Sequence, residues 1–159
     1  MQKILIAAVG SLKERHYQEA VSEYLTRLKP YLKIETKEVA IEPFVDQRQH
    51  QEVIKKEGLK LSALINKFIQ QNPGAKVLVL DKDGQAKTSE ALASFFEKLN
   101  APMVFVIGGS LGLSEEVKGL ATHKISLSAM TFPHELARVV LVEQIYRAVM
   151  IIKGMKYHY

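Results

Sequence analysis

The residues of this chain that are best suited to chemistry lie in the stretch SLSAMTFPHELAR, residues 126–138. Small, hydroxyl-bearing and thioether side chains precede a proline, and a histidine and an arginine follow it one helical turn apart. Pro133 suits the first turn of a helix, where its missing N–H leaves no hydrogen bond unmade. The residue types alone fit a small-molecule pocket or ordinary packing between a strand and a helix, and they favour packing.

A glycine-rich turn, IGGSLGLS at residues 107–114, is the second candidate. Gly108, Gly109 and Gly112 would let a ligand approach bare backbone, because glycine has no Cβ. The spacing is GGxxG, which is neither the GxGxxG fingerprint of dinucleotide sites nor the Gly-Lys-Ser/Thr of a phosphate loop. On spacing alone, a tight connection is favoured over a ligand cradle.

Several kinds of catalytic centre are excluded or disfavoured. The chain has no cysteine, which excludes disulfides, thiolate nucleophiles and cysteine metal sites. Its five histidines show no HExxH or comparable spacing, so we expect no metal. No GxSxG elbow marks a serine hydrolase of the α/β type. Asp81 and Asp83 offer carboxylates for a ribose or a base, although an acidic pair before glycine is typical of a turn.

Positive charge is concentrated at the two ends of the chain. The net charge is +5, and residues 1–37 hold seven Lys/Arg against four Glu, while residues 138–159 hold four Lys/Arg against one Glu. Lys and Arg contacts to phosphates dominate the binding of polyanions, so this distribution suits a nucleic-acid partner. Surface lysines that only keep the protein in solution would explain the charge equally well.

The elements that must position these residues follow from hydrophobic periodicity. Strand patterns cover residues 2–9, 31–40, 76–81, 103–109 and 123–128, and helix patterns cover residues 12–28, 51–69, 88–99, 114–119 and 133–152. The alternation predicts one α/β domain over residues 1–159, with a mostly parallel sheet and helices on both faces. Ligand sites in such sheets lie at the carboxyl ends of strands, so we expect the site in the loops after strands three, four and five.

The amino-terminal apolar run, Ile4 to Val9, spans six residues, which is too short for a signal sequence or a membrane span. We therefore expect a cytoplasmic protein without membrane contact. The last predicted helix is apolar around most of its circumference, and a partner subunit is the expected cover. The sequence thus favours a homodimer.

Four segments together resemble one known family. They are AVGSLKERHYQEAVSEYLTRL, VFVIGGSLGLS, SLSAMTFPHELARVVLVEQIYRA and the ending KYHY. They resemble the ribosomal RNA large subunit methyltransferase H family of the SPOUT superfamily, and the match covers essentially the whole chain. The resemblance implies a deep trefoil knot in the carboxyl-terminal half, which the general avoidance of knots would exclude.

The resemblance also implies an activity. The family transfers a methyl group from S-adenosylmethionine to N3 of a pseudouridine in large-subunit (23S) ribosomal RNA, on assembled ribosomes and as a homodimer. Two alternatives remain: a ribosome-associated RNA-binding protein without catalysis, and an α/β enzyme that uses another nucleotide cofactor.

The resemblance implies specific residues for the cofactor pocket and the tail, and the basic residues of the last helix and the chain end suggest the phosphate contacts. The expected cofactor residues are Leu80, Gly108, Leu127, Ser128, Ala129, Met130, Thr131 and Phe132. The expected phosphate contacts are Arg138, Arg147, Lys153 and Lys156, although an ion pair with Glu143 is the simpler role for Arg147. In the tail, Tyr157 is expected to position the base and His158 to accept or share the N3 proton, with Arg138 or Glu143 as contributors. Whether the tail serves its own subunit or a neighbour stays open at this stage.

Overall fold

Five strands and five α-helices alternate along the part of the chain that the structure describes. The computed structural model describes residues 2–157. The strands are β1 (Gln2–Val9), β2 (Leu32–Val39), β3 (Lys76–Ala86), β4 (Met103–Ile107) and β5 (His123–Ser126). The helices are α1 (Arg15–Leu28), α2 (His50–Gln71), α3 (Ser89–Leu99), α4 (Glu115–Gly119) and α5 (His134–Ile152), and a 3₁₀ turn at Gln47–Gln49 precedes α2.

All four strand pairings are parallel, and the strand order is β2-β1-β4-β3-β5. The predicted α/β domain with a parallel sheet is confirmed. Although β3 precedes β4 in the chain, β4 lies between β1 and β3, and β5 pairs on the outer side of β3. In this order β4 pairs with β3, and β3 pairs with β5. The loops after the carboxyl ends of these three strands therefore meet at one edge of the sheet.

The sheet separates two hydrophobic cores, because successive side chains of a strand point to opposite faces. Ile4 and Ile6 of β1 pack in the core that also contains residues of α1, α3 and α5. Leu5 and Ala7 pack in the core that also contains residues of α2 and α4. The continuous apolar run of β1 therefore reflects burial on both faces, and the helices cover both faces as predicted.

The structure corrects the sequence argument about what covers α5. This helix packs against both α1 and α3, and every residue from His134 to Ile151 is at least partly buried. Val142 and Ile145 have no exposed surface at all and belong to the core of this chain. Much of the cover assigned to a partner subunit is thus supplied by two helices of the same chain.

The element boundaries differ from the prediction mainly around the loops. β4 ends at Ile107 and β5 at Ser126, so the glycines and Leu127 begin loops instead of continuing strands. β3 extends beyond the predicted end at Asp81, because Gln85 and Ala86 pair with β5. The register against β5 shifts between Leu80 and Gln85.

Gly84 lies within this register shift and approaches β5 very closely. A Cβ at this position would lie 2.7 Å from both the carbonyl carbon and the amide nitrogen of Ile125. Backbone atoms in a paired strand cannot move aside as a flexible side chain can. A glycine is therefore required where β3 passes β5.

Candidate active site

A cleft with a volume of about 960 Å³ opens at the carboxyl ends of β3, β4 and β5. Its size lies within the range of about 300–1,000 Å³ that is usual for small-molecule sites. Seven of the eight predicted cofactor residues line it: Leu80, Gly108, Leu127, Ser128, Met130, Thr131 and Phe132. Ala129, the eighth, is exposed and is not part of the lining.

The loop after β5 is shaped by its own hydroxyl groups. The Ser126 hydroxyl donates to the carbonyl of Ser128 over 2.9 Å, and the Ser128 hydroxyl accepts from the amide of Met130 over 3.0 Å. Serine side chains commonly stabilise turns in this way. The turn leaves Met130 72% exposed at the rim of the cleft.

The glycine loop, residues 108–113, folds back on itself. The Gly112 amide donates to the Gly109 carbonyl over 3.0 Å, and Gly112 has a φ of 88°, a conformation that glycine adopts readily. A Cβ on Gly108 would meet Cγ of Leu113 at 2.9 Å. Bulk at Gly108 would therefore distort the loop itself.

Charged and titratable side chains also line the cleft, and the sequence predicted only some of them. Asp81 and Asp83 lie at its rim within β3, at the register shift, where the Asp83 amide donates to the Asp81 carboxylate over 3.0 Å. Lys118 of α4 and His134 of α5 also line the cleft. The strand-end rule identifies loops, so it missed Lys118, which lies on the helix that follows the glycine loop. His134 belongs to the stretch at residues 126–138, and its place at the start of α5 was the available signal.

Residues 2–157 were compared with the requirements of a metal-binding cluster and of a membrane-spanning helix. No group of three or more His, Asp or Glu side chains is placed to hold a metal ion there. Nor does that part of the chain contain a helix with the length and apolar character needed to cross a membrane.

Comparison with known proteins assigns the family. A family model described as predicted SPOUT methyltransferase matches residues 2–158. The chain is 44% identical over 162 residues to ribosomal RNA large subunit methyltransferase H of Bacillus pumilus (strain SAFR-032), and the match covers 98% of both chains. The chain belongs to this family of SPOUT methyltransferases. The resemblance drawn from the sequence is confirmed.

Solved structures share the fold at low sequence identity. The A. aeolicus TrmH/SpoU tRNA modifying enzyme has a TM-score of 0.55 and 13% identity, with 98% of this chain and 79% of that chain covered. The SpoU methyltransferase AviRb from Streptomyces viridochromogenes, solved in complex with AdoMet, has a TM-score of 0.50 and 11% identity. That match covers 93% of this chain and 57% of the AviRb chain. At these identities the likeness establishes the SPOUT fold.

In this SPOUT methyltransferase Arg138, one of the predicted phosphate contacts, is buried and paired within the chain. Its side chain has no exposed surface, and its guanidinium forms an ion pair with Glu38 and donates to the Gly10 carbonyl over 2.7 Å. A group without exposed surface cannot meet a phosphate. Arg138 instead connects α5 to the carboxyl ends of β1 and β2. The cleft residue His134 lies beside the same region, with its Nε2 3.3 Å from the position that a Cβ on Gly10 would take.

The other three predicted phosphate contacts differ in their surroundings. Arg147 is partly buried and pairs with Glu143, with Nη2 2.6 Å from the Glu143 carboxylate. This is the simpler role that the four-residue spacing suggested. Lys153 and Lys156 are exposed after the end of α5.

The tail lies against α1 and α5 as far as the described residues extend. The Tyr157 hydroxyl lies 3.2 Å from that of Tyr24, and its ring centroid is 4.7 Å from that of Tyr146. Burial raises the pKa of Tyr157, and the hydrogen bond with Tyr24 raises it further. His158, the predicted proton acceptor, lies outside the described residues.

Proposed function

We propose that this chain transfers a methyl group from S-adenosylmethionine to N3 of a pseudouridine in 23S ribosomal RNA, on assembled ribosomes in the cytoplasm. The observation that supports this most is the convergence of the predicted cofactor loops on one cleft. The relative at 44% identity is named as a large-subunit ribosomal RNA methyltransferase, and AviRb was solved with the same cofactor. The chain thus combines a fitting cleft with family membership.

The cleft residues fit the chemical groups of S-adenosylmethionine. Leu80, Leu127 and Phe132 offer apolar contacts for the adenine, and the glycine loop brings backbone close to the ligand. The carboxylates of Asp81 and Asp83 at the rim can accept hydrogen bonds from hydroxyl or ammonium groups. The bound cofactor would supply an electrophilic methyl group and the RNA base would supply the nucleophilic nitrogen, N3, so the protein must position that nitrogen and accept its proton.

Methylation of N3 requires loss of the proton on that nitrogen. We assign this proton transfer to His158, because a neutral imidazole suits proton transfer near neutral pH, and we assign Tyr157 to hold the base by stacking. His134 is the histidine that the described residues place in the cleft, and it is the second candidate for the proton. Arg138 would act through the Gly10 turn beside His134, without meeting the RNA itself.

We further propose a homodimer and the trefoil knot of the family. The tail would then act either in its own subunit or across the dimer. Ile152 and Met155, which are 39% and 50% exposed at the end of α5, are apolar groups that a second subunit could cover. Light scattering at micromolar concentration tests the dimer, and a stable monomer would contradict it.

Two measurements separate the proposal from its alternatives. Calorimetric titration should show binding of S-adenosylmethionine and none of NAD, whereas binding of NAD alone would indicate an enzyme with another nucleotide cofactor. Binding of neither, together with ribosome binding, would indicate a non-catalytic RNA-binding protein. Mass mapping of 23S RNA from a deletion strain should reveal one missing methyl group at a pseudouridine, which purified protein and cofactor should restore.

A further inference from the structure

A buried carboxylate lies against the glycine loop but does not line the cleft. Glu57 of α2 is only 4% exposed, although carboxylates are rarely buried without a specific partner. One oxygen, Oε1, accepts the amide hydrogen of Glu42 over 3.0 Å. The other, Oε2, lies 2.9 Å from the position that a Cβ on Gly109 would take. Glu57 thus joins the loop after β2 to the start of the glycine loop.

The next residue of α2 contacts the other end of the same loop. A Cβ on Gly58 would lie 2.7 Å from Cβ of Ser114 and would overlap with its hydroxyl. The Ser114 hydroxyl accepts from the Val117 amide over 3.2 Å, so it caps the first turn of α4. Gly58 is therefore required for close packing of α2 against this cap.

We propose that Glu57 and Gly58 are positioning residues, which hold the glycine loop in the conformation that binds the cofactor. The proposal rests on the proposed cofactor cleft. Neither residue lines the cleft; Glu57 lies close to Gly109 within the loop, and Gly58 lies close to Ser114 directly after it. If this position of α2 needed only to fill space, an apolar side chain would avoid the desolvation of a carboxylate. The hydrogen bond to Glu42 and the close approach to Gly109 account for a glutamate there.

Removal of the Glu57 side chain tests the proposal directly. Glu57→Ala leaves the Glu42 amide without its acceptor and opens space beneath Gly109. Because a displacement of about 1 Å in a positioned group can cost up to about 100-fold in activity, we expect Glu57→Ala to raise the Kd for S-adenosylmethionine by about tenfold. Glu57→Gln keeps an oxygen acceptor of the same shape and should restore the Kd to within about twofold of the unmodified protein.

The matched control is Glu52→Ala, which removes an exposed carboxylate five residues earlier on α2 that forms an ion pair with Lys56. It should leave the Kd unchanged. Thermal unfolding without cofactor shows whether each variant is folded. If Glu57→Ala is folded and binds the cofactor with the affinity of the control, the positioning role is overturned. If the unmodified protein itself fails to bind, the proposed function fails first, and the inference falls with it.

A double-variant cycle with Gly109→Ala gives an independent result. The added Cβ would meet Glu57 and Val9, neither of which lines the cleft, so a loss of affinity would be transmitted through the loop. The loss should be smaller when Glu57→Ala has already opened that space, so the two substitutions should be non-additive. Additive losses would show that Glu57 does not act on Gly109 and would overturn the proposal, even if Glu57→Ala alone is too unstable to interpret.

Discussion

The cleft and the tyrosine cluster, defined as Tyr24, Tyr146, Tyr157, Glu143 and Arg147, lie in contrasting environments. In the cluster, the two hydroxyls of Tyr24 and Tyr157 are 3.2 Å apart, and Arg147 pairs with Glu143 while lying 5.0 Å from the Tyr157 ring centroid. The partners of these polar groups are side chains of the same chain. The cluster is therefore a self-contained contact that holds the tail.

The cleft contains apolar side chains, bare glycine backbone and short turns, and its hydrogen bonds are mostly local ones, as in Ser126 to Ser128. A surface of this kind leaves apolar and backbone groups available to contact a ligand. The difference teaches that polar residues close in sequence to a site need not serve it directly. Arg147 and Arg138 both lie on the helix that begins at the cleft, and both are paired within the chain.

The largest expected effect is on the framework of the cleft. Gly84→Ala would place a Cβ against the backbone of Ile125, and we expect the free energy of unfolding to fall by about 3 kcal/mol or more. Urea unfolding measures this. Gly119→Ala is the control, because a Cβ there meets no atom within 4 Å. Equal stability of the two variants would mean that β3 and β5 are not held as closely as described.

Deletion of residues 157–159 would remove the tail from the tyrosine cluster. If the tail carries the base and the proton transfer, turnover on ribosomes should fall by more than about 100-fold, whereas cofactor affinity and dimerisation should change little. Methyl transfer from labelled S-adenosylmethionine measures the effect. Tyr24→Phe, which removes one hydroxyl contact and keeps the tail, is the comparison variant. A truncated enzyme with normal turnover would contradict the role of the tail.

Arg138→Met tests whether this arginine is structural. It removes a hydrogen bond to the Gly10 carbonyl and the partner of Glu38, and we expect a loss of about 2 kcal/mol in the free energy of unfolding. Arg15→Met removes a surface pair with Glu19 and should cost less than about 1 kcal/mol. Unchanged stability of Arg138→Met, together with weaker and less salt-dependent ribosome binding, would show instead that Arg138 contacts RNA.

Salt dependence distinguishes the paired cation of the cluster from the exposed ones. Lys153→Gln and Lys156→Gln should each reduce the slope of log ribosome affinity against log salt by about one. Arg147→Gln should change the slope less, because its charge is already paired with Glu143. Affinities at several salt concentrations provide the test. A full unit of slope lost for Arg147→Gln would show that the ion pair opens for RNA.

The smallest effect concerns the pH dependence of the cluster. Burial and Tyr24 raise the pKa of Tyr157 above its ordinary value of 10.0, so the folded state holds this proton more tightly than the unfolded state does. Stability from this group is present below pH 10.0 and declines as the pH rises above it. Tyr157→Phe should reduce this decline at alkaline pH. The melting temperature of the variant should fall by a few degrees less than that of the unmodified protein, which corresponds to about 1 kcal/mol for a domain of this size. An identical decline in both proteins would contradict it.

Local pattern predicted most of the elements, because burial imposes a period that the sequence records. The predicted β1 has the same bounds as the observed strand. Helix α3 begins at Ser89, one residue after its predicted start, because Thr88 is the N-cap. The prediction was less accurate at loops such as Gln85–Ala86, where pairing with β5 extends a strand. That extension depends on a segment about 40 residues further along the chain, which no local window contains.

The sequence by itself determined the alternation of strands and helices, the loops that form the cleft and, through its resemblance, the family. Only the tertiary structure decided that Arg138 is buried against Gly10, 128 residues away in the chain, and that Glu57 lies beneath the glycine loop. It also decided that α1 and α3 cover α5. Side-chain periodicity encodes which face of an element is buried, whereas the identity of the covering group depends on strand order and on packing between distant segments.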